Sequence, residues 1–227
     1  MMKMLLLCIY ILAGTTLVIY LLIHPNVFSV LYPEVFRLDK EQVSSTLHES
    51  MMKNKAPICS EIQDCDLIPG DILLRRYVTE RTKLFDRIIH PYFTHTAFYL
   101  GDDRLAEAVG SEKNSEDDIQ INTLSRGDWM DEQIEGFVII RPTYTADQLD
   151  SIKIGLAQIA EDPEYIFGLP RKGNKKTTCA DMIYKQLQDE NLIPISNTQV
   201  PKIITPDYLF WLATQHPLNF EVVDFNL

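Results

Sequence analysis

The opening of this chain most constrains what it can become: from Met4 to Leu22 no residue is charged, and leucine and isoleucine dominate the run. A helix of that length crosses a hydrocarbon core of about 30 Å. A cleaved signal sequence has a shorter apolar stretch, about 7 to 15 residues, followed by small residues at the cut. Here the run is followed by Ile23-His24-Pro25-Asn26-Val27, which offers no such site. A retained anchor is therefore the first reading and a cleaved signal the second. Lys3 and the terminal amine precede the run and bias the N-terminus to the cytoplasmic side, placing the rest of the chain outside the cytoplasm. Leu5-Leu6-Leu7 ahead of Cys8 lacks the small residues of a lipidation site, so Cys8 reads as an apolar thiol within the span. Residues 1–23 are thus expected to form a membrane anchor. Residues 24–56, broken by Pro25 and Pro33 and with a short helix around Asp39 to Met52, read as a membrane-proximal spacer. Residues 57–227 read as one compact domain.

Composition removes several function classes. With 32 acidic against 21 basic side chains the net charge is −11, which opposes binding to a phosphate backbone and excludes a duplex nucleic-acid binder. A hydrophobic content of 46% supports a folded core, and 4 cysteines are too few for a disulfide scaffold.

The pattern after Pro57 mixes strands and helices. Asp71 to Arg76 follows the turn signal Pro69-Gly70, and His95 to Leu100, Arg104 to Val109 and Gly136 to Arg141 carry short apolar runs bounded by turn residues. Three helices announce their starts. Thr145 with Gln148 makes a capping box ahead of Leu149, Ile152, Leu156 and Ile159, which share one helical face. Thr178 precedes a helix from Cys179 to about Asn191 with Met182, Ile183 and Leu187 inward, and Thr205-Pro206-Asp207 opens another through Leu209, Phe210 and Leu212. A small antiparallel sheet with helices packed beside it gives the class α+β.

Three residues carry the candidate chemistry. Cys179 opens its helix, where the backbone N–H groups and the dipole favour a thiolate, and Arg171, Lys172, Lys175 and Lys176 come just before it. On position alone a buried structural cysteine is an equal alternative. His95 begins an apolar strand, where a polar ring is either hydrogen-bonded inside the fold or turned to a site. Glu107, between Ala106 and Ala108, needs a partner in so apolar a stretch. If the two strands pair through Gly101-Asp102-Asp103, Glu107 can face the imidazole and fix its tautomer, leaving the other ring nitrogen to the thiol.

With these residues in view the sequence resembles the YiiX/YebB-like branch of the NlpC-type cysteine hydrolases, whose papain-like fold is circularly permuted. The resemblance rests on Pro69-Gly70-Asp71-Ile72-Leu73, His95-Thr96-Ala97-Phe98-Tyr99-Leu100-Gly101, Glu107-Ala108-Val109, Arg141-Pro142, Thr178-Cys179-Ala180-Asp181-Met182-Ile183-Tyr184 and Thr205-Pro206-Asp207-Tyr208-Leu209, in that order across residues 57–227. Thr178-Cys179-Ala180-Asp181-Met182 departs from the family's more usual aromatic-Cys-Ser-Glu-Leu. The resemblance implies Cys179 as nucleophile, His95 as general base and acid, Glu107 as orienting residue, an amide- or ester-cleaving reaction through a thioester, and no cofactor. The implied substrate is a peptide, such as a cell-wall peptide, or an acyl lipid. Lys172, Lys175 and Lys176 are either a solvated loop of charge or contacts for a carboxylate or phosphate.

Cys59 and Cys65 have spacing compatible with a short disulfide loop, which a compartment outside the cytoplasm would allow to form. With His90 and His95 they lack the short Cys-x-x-Cys knuckle of a zinc site, so no metal is expected. The acidic run from Glu112 to Asp118 reads as an exposed loop.

Overall fold

The computed structural model describes residues 36–54, 59–77, 91–109, 118–123, 134–162, 164–167, 176–193 and 200–226. The apolar run at 4–22, the basic residues at 171–175 and most of the acidic run, 112–117, lie outside them. Among the described residues no helix is long and apolar enough to cross a membrane.

The architecture is α+β. A six-stranded antiparallel sheet is built from β1 (Ile72–Tyr77), β2 (His95–Gly101), β3 (Arg104–Val109), β4 (Asp118–Thr123), β5 (Ile134–Pro142) and β8 (Phe220–Asn226), in the spatial order β4-β3-β2-β1-β5-β8. Two short strands, β6 (Ile166–Phe167) and β7 (Lys176–Thr177), form a separate parallel pair. The helices are α1 (Lys40–Asn54), α2 (Ala146–Glu161), α3 (Cys179–Asp189) and α4 (Pro206–Gln215).

Local chemistry accounts for the boundaries. Gly70 sits at φ +105, and a Cβ there would lie 2.6 Å from the Tyr144 ring, so the turn into β1 requires glycine. The same turn is held by Asp71, fully buried, whose two carboxylate oxygens each accept a 2.8 Å bond from Arg141 on β5. The β2–β3 hairpin closes through Gly101, Asp102 and Asp103 at φ +95, +52 and +60, residue types that tolerate the left-handed region. Thr145 and Gln148 form the expected capping box at α2, and Thr178 and Thr205 each accept a backbone N–H at the starts of α3 and α4.

Alternation along the strands sorts the core onto two faces. Ile72, Leu74, Phe98, Val138 and Ile140 join Ile152, Leu156, Met182, Ile183 and Phe210 of the helices in the larger cluster. Leu73, Ala97, Leu105, Phe137 and Ile139 form a smaller one with Ile62, flanked by Cys59, Cys65 and Leu67.

Three features depart from the sequence expectation. The helix assigned to the spacer is part of the domain: Asp39 and Gln42 cap it reciprocally, and Val43 and Leu47 are 0% and 2% exposed inside the larger cluster. Burial of a leucine on this scale contributes about 2 kcal/mol, which a solvated spacer would forgo. The sheet also gains β4, whose first residue Asp118 ends the acidic run and pairs with Val109, and β8, which pairs with β5 at the far edge.

Candidate active site

His95 is the first residue of β2, and Glu107 lies on the neighbouring β3. The register pairs Phe98 with Ala106, so the hairpin brings Glu107 to the diagonal of His95 on the same face. Nε2 of His95 and Oε2 of Glu107 are 2.9 Å apart, with the residues 9% and 3% exposed. An ionised carboxylate only accepts, so the Nε2 proton is the one donated and the tautomer is set.

Cys179 comes to the same imidazole from the start of α3. It is a free thiol, buried at 7% exposure, and hydrogen-bonds the His95 side chain. With Nε2 engaged by Glu107, Nδ1 is the ring nitrogen left for another partner. The start of α3 is well fixed: the Thr178 hydroxyl accepts the Asp181 N–H at 3.1 Å, and Thr177 donates to the Asp181 carboxylate at 3.0 Å. Asp181 in turn pairs with Lys185 at 2.7 Å.

The electrostatics around the ring are opposed. Burial works against an imidazolium, and the Arg75 charge on β1 works with burial. The charge of Cys179, its hydrogen bond to the ring and the hydrogen bond that the ring donates to Glu107 outweigh them and raise His95 from 6.5 to about 9.

Two residues near the site have roles that the sequence does not announce. Arg75 is register-paired with His95 and only 2% exposed, whereas its neighbour Arg76 turns outward to Glu135 and to the Tyr92 ring. Asp207, in the first turn of α4 and fully buried, accepts the backbone N–H groups of Tyr92 and Phe93 at 2.8 Å each and of Leu38 at 2.9 Å. It therefore fixes the chain that leads into His95. No short motif announces either role, because both depend on partners brought in by the sheet.

Cys59 and Cys65 are joined as a disulfide with Cα atoms 5.3 Å apart. Asp224 of β8 accepts the Cys59 N–H at 3.0 Å and ties this loop to the sheet edge. Among the described residues, Cys59, Cys65 and Asp224 are the group whose ligand atoms come within 4.8 Å of one another, but sulfurs bonded to each other are not thiolate ligands. His90, the other histidine considered with them, lies outside the described residues.

No family model matches this chain, and no curated protein matches it. Among solved structures, the chain is similar to the metalloprotein YiiX of Escherichia coli O157:H7, at 16% identity and a TM-score of 0.39, over 68% of this chain and 88% of that one.

Proposed function

We propose that this protein is a membrane-anchored cysteine hydrolase with a circularly permuted papain-like domain, cleaving an amide or ester bond through Cys179, His95 and Glu107. The observation that carries the reading is the single imidazole, bonded through Nε2 to a buried carboxylate at 2.9 Å and interacting with a free thiol at a helix start. Nucleophile, base and orienting group are the parts acyl transfer needs.

In the proposed reaction the Cys179 thiolate attacks the substrate carbonyl, and the backbone N–H of Cys179, ahead of the helical ladder, helps hold the oxyanion. His95 gives its proton to the departing amine or alcohol, leaving a thioester. Water then gives a proton to His95 and attacks the thioester, releasing the acid and restoring the thiolate. Glu107 keeps the ring oriented throughout. The substrate class is a peptide, including wall peptides, or an acyl lipid. The apolar run at Met4–Leu22 supports a single-pass anchor with the domain outside the cytoplasm, and the Cys59–Cys65 pair fits an oxidising compartment.

One observation favours a second reading. At 7% exposure Cys179 is as covered as a structural thiol, which suits a membrane-tethered module that binds a lipid or peptide without turning it over. Incubating the full-length protein with wall peptides and with acyl lipids in vesicles, beside Cys179→Ala, separates the two. Hydrolysis products that vanish in Cys179→Ala are expected. Binding without products, unchanged in the variant, would establish the module.

A further inference from the structure

At the sheet edge away from the triad, three metal-ligating groups meet: the sulfurs of Cys59 and Cys65 and the carboxylate of Asp224 on β8, their ligand atoms within 4.8 Å of one another. The two cysteines lie 6 positions apart, a wider spacing than that of the usual zinc loops. A 3-10 turn over Ile62–Asp64 folds the segment back, with the Cys65 N–H donated to the Ile62 carbonyl, and leaves the Cα atoms 5.3 Å apart. Asp224 is the informative member. It is 5% exposed, and the two backbone N–H groups that reach it, from Cys59 at 3.0 Å and Phe225 at 2.8 Å, both bond to Oδ1. Among the described residues no hydrogen bond or ion pair falls on Oδ2. A carboxylate so covered, with one oxygen left over beside two sulfurs, lacks the cation that burial of a charge calls for.

We infer that Cys59, Cys65 and Asp224 form a latent site for a divalent cation of zinc's type, closed while the sulfurs are bonded to each other and opened when a dithiol reduces them. The dithiol gives the pair two electrons and two protons and is left as its own disulfide. The cation then displaces the two thiol protons and is held by two thiolates and one carboxylate, with the fourth tetrahedral position open to water. Sulfur ligands select a borderline-soft ion over calcium or magnesium, which take oxygen. Zn–S bonds of about 2.3 Å in tetrahedral geometry set the sulfurs about 3.8 Å apart. Side-chain rotation reaches that separation from Cα atoms 5.3 Å apart, because both cysteines are only half-buried. The cation is also a different staple from the disulfide. The disulfide ties Cys59 to Cys65 alone, whereas the metal ties both to β8, reaching from Cys59 across 165 residues. The site stands apart from the hydrolase reading, since neither Cys179 nor His95 takes part in it.

The test uses the full-length protein in detergent micelles, carrying Cys8→Ser and Cys179→Ala so that the pair supplies the only thiols. Oxidised protein is compared with protein reduced by a phosphine that is then removed under nitrogen. Each is titrated with zinc against a chromophoric chelator, and with cobalt followed by absorption. The reduced protein is expected to hold one zinc per chain more than the oxidised protein, and to show a sulfur-to-cobalt charge-transfer band that the oxidised protein lacks. Asp224→Asn, whose amide oxygen still accepts the Cys59 N–H, should bind zinc at least about tenfold more weakly. Zinc should also raise the denaturant midpoint of the reduced protein more than that of the oxidised protein. Equal zinc binding by the two forms, or a reduced protein without the cobalt band, would overturn the inference. Unchanged affinity in Asp224→Asn would overturn it too, by reducing the site to a pair of thiols. Should Asp224→Asn fail to fold by circular dichroism, the zinc-dependent rise in the midpoint of the reduced protein decides alone: its absence overturns the inference and its presence supports it.

Discussion

Glu107 and Asp207 are both carboxylates with almost no exposure, 3% and 0%, and both support the strand that carries His95, yet they are held in opposite ways. Glu107 meets a titrating ring. Asp207 meets three backbone N–H groups, from Leu38, Tyr92 and Phe93, whose dipoles never change. Burial pushes the Asp207 carboxyl up to about 6, and those bonds with the Arg76 charge restrain it only in part. A carboxylate answered by a titrating partner can take part in chemistry. One answered by backbone can only place other groups.

The strongest way to break this distinction is to remove the titrating partner. His95→Ala should slow alkylation of Cys179 at mildly acidic pH by about 10³-fold, equivalent to about 4 kcal/mol. Glu107→Gln should be milder, because the amide oxygen still accepts the ring N–H, and Glu107→Ala should fall between. Iodoacetamide rates followed from pH 5 to 9 check this, with Cys59 and Cys65 bridged to each other. Rates that follow an ordinary thiol titration in every variant would end the case for a working triad.

Asp207→Ala should reverse the pattern. It leaves three buried donors without their acceptor, so denaturant unfolding should show a loss of about 3 kcal/mol. Alkylation at Cys179 should slow only as far as the chain entering β2 loosens.

The two groups should also separate by pH. Asp207 is raised above its ordinary 3.8 to about 6, so its contribution to stability is complete below about pH 3.8 and lost as pH rises through about 6. His95 is raised from 6.5 to about 9, so its contribution is complete below about pH 6.5 and lost as pH rises through about 9. Each loss is on the order of 3 kcal/mol. Stability measured against pH should therefore fall in two steps, and Asp207→Asn should flatten only the lower one. A lower step that survives in Asp207→Asn would assign it to another group.

The smallest effect concerns a bond remote from this contrast. Reducing the Cys59–Cys65 disulfide, which closes a loop of 6 residues' separation, should cost about 2 kcal/mol and leave the Cys179 alkylation rate unchanged. A free-thiol count on native membranes should find both sulfurs oxidised.

Much of the site is legible in the sequence because its parts are local. His95 and Glu107 are joined by a hairpin whose turn residues declare themselves, and Cys179 is marked by the Thr178 cap. What sequence reading misses depends on register or distance. Arg75 and Arg76 are chemically identical, and only the pairing of β1 with β2 turns the first toward His95. In α1 the inward positions Val43 and Leu47 stand in an otherwise polar helix, too sparse an apolar stripe to reveal that it joins the core. β8 hides because Asp224 occupies an inward position where alternation calls for an apolar side chain, and its acceptor role at the Cys59 N–H appears only in three dimensions.

The Asp207 and Asp224 ties have a consequence for the order in which the molecule assembles. Leu38 bonds to Asp207, 169 residues away, and Cys59 bonds to Asp224, 165 residues away. β8, which closes the sheet edge against β5, also anchors the disulfide loop through Asn226 and Ser60. Such contacts give the fold a high contact order, so the search for them slows folding, and a growing chain cannot make them until α4 and β8 have left the ribosome. The histidine strand and its hairpin can form early from neighbouring residues. The clamp that fixes its approach closes late, so a chain halted before α4 would carry His95 on β2 and Glu107 on β3 with the entry to β2 still unanchored.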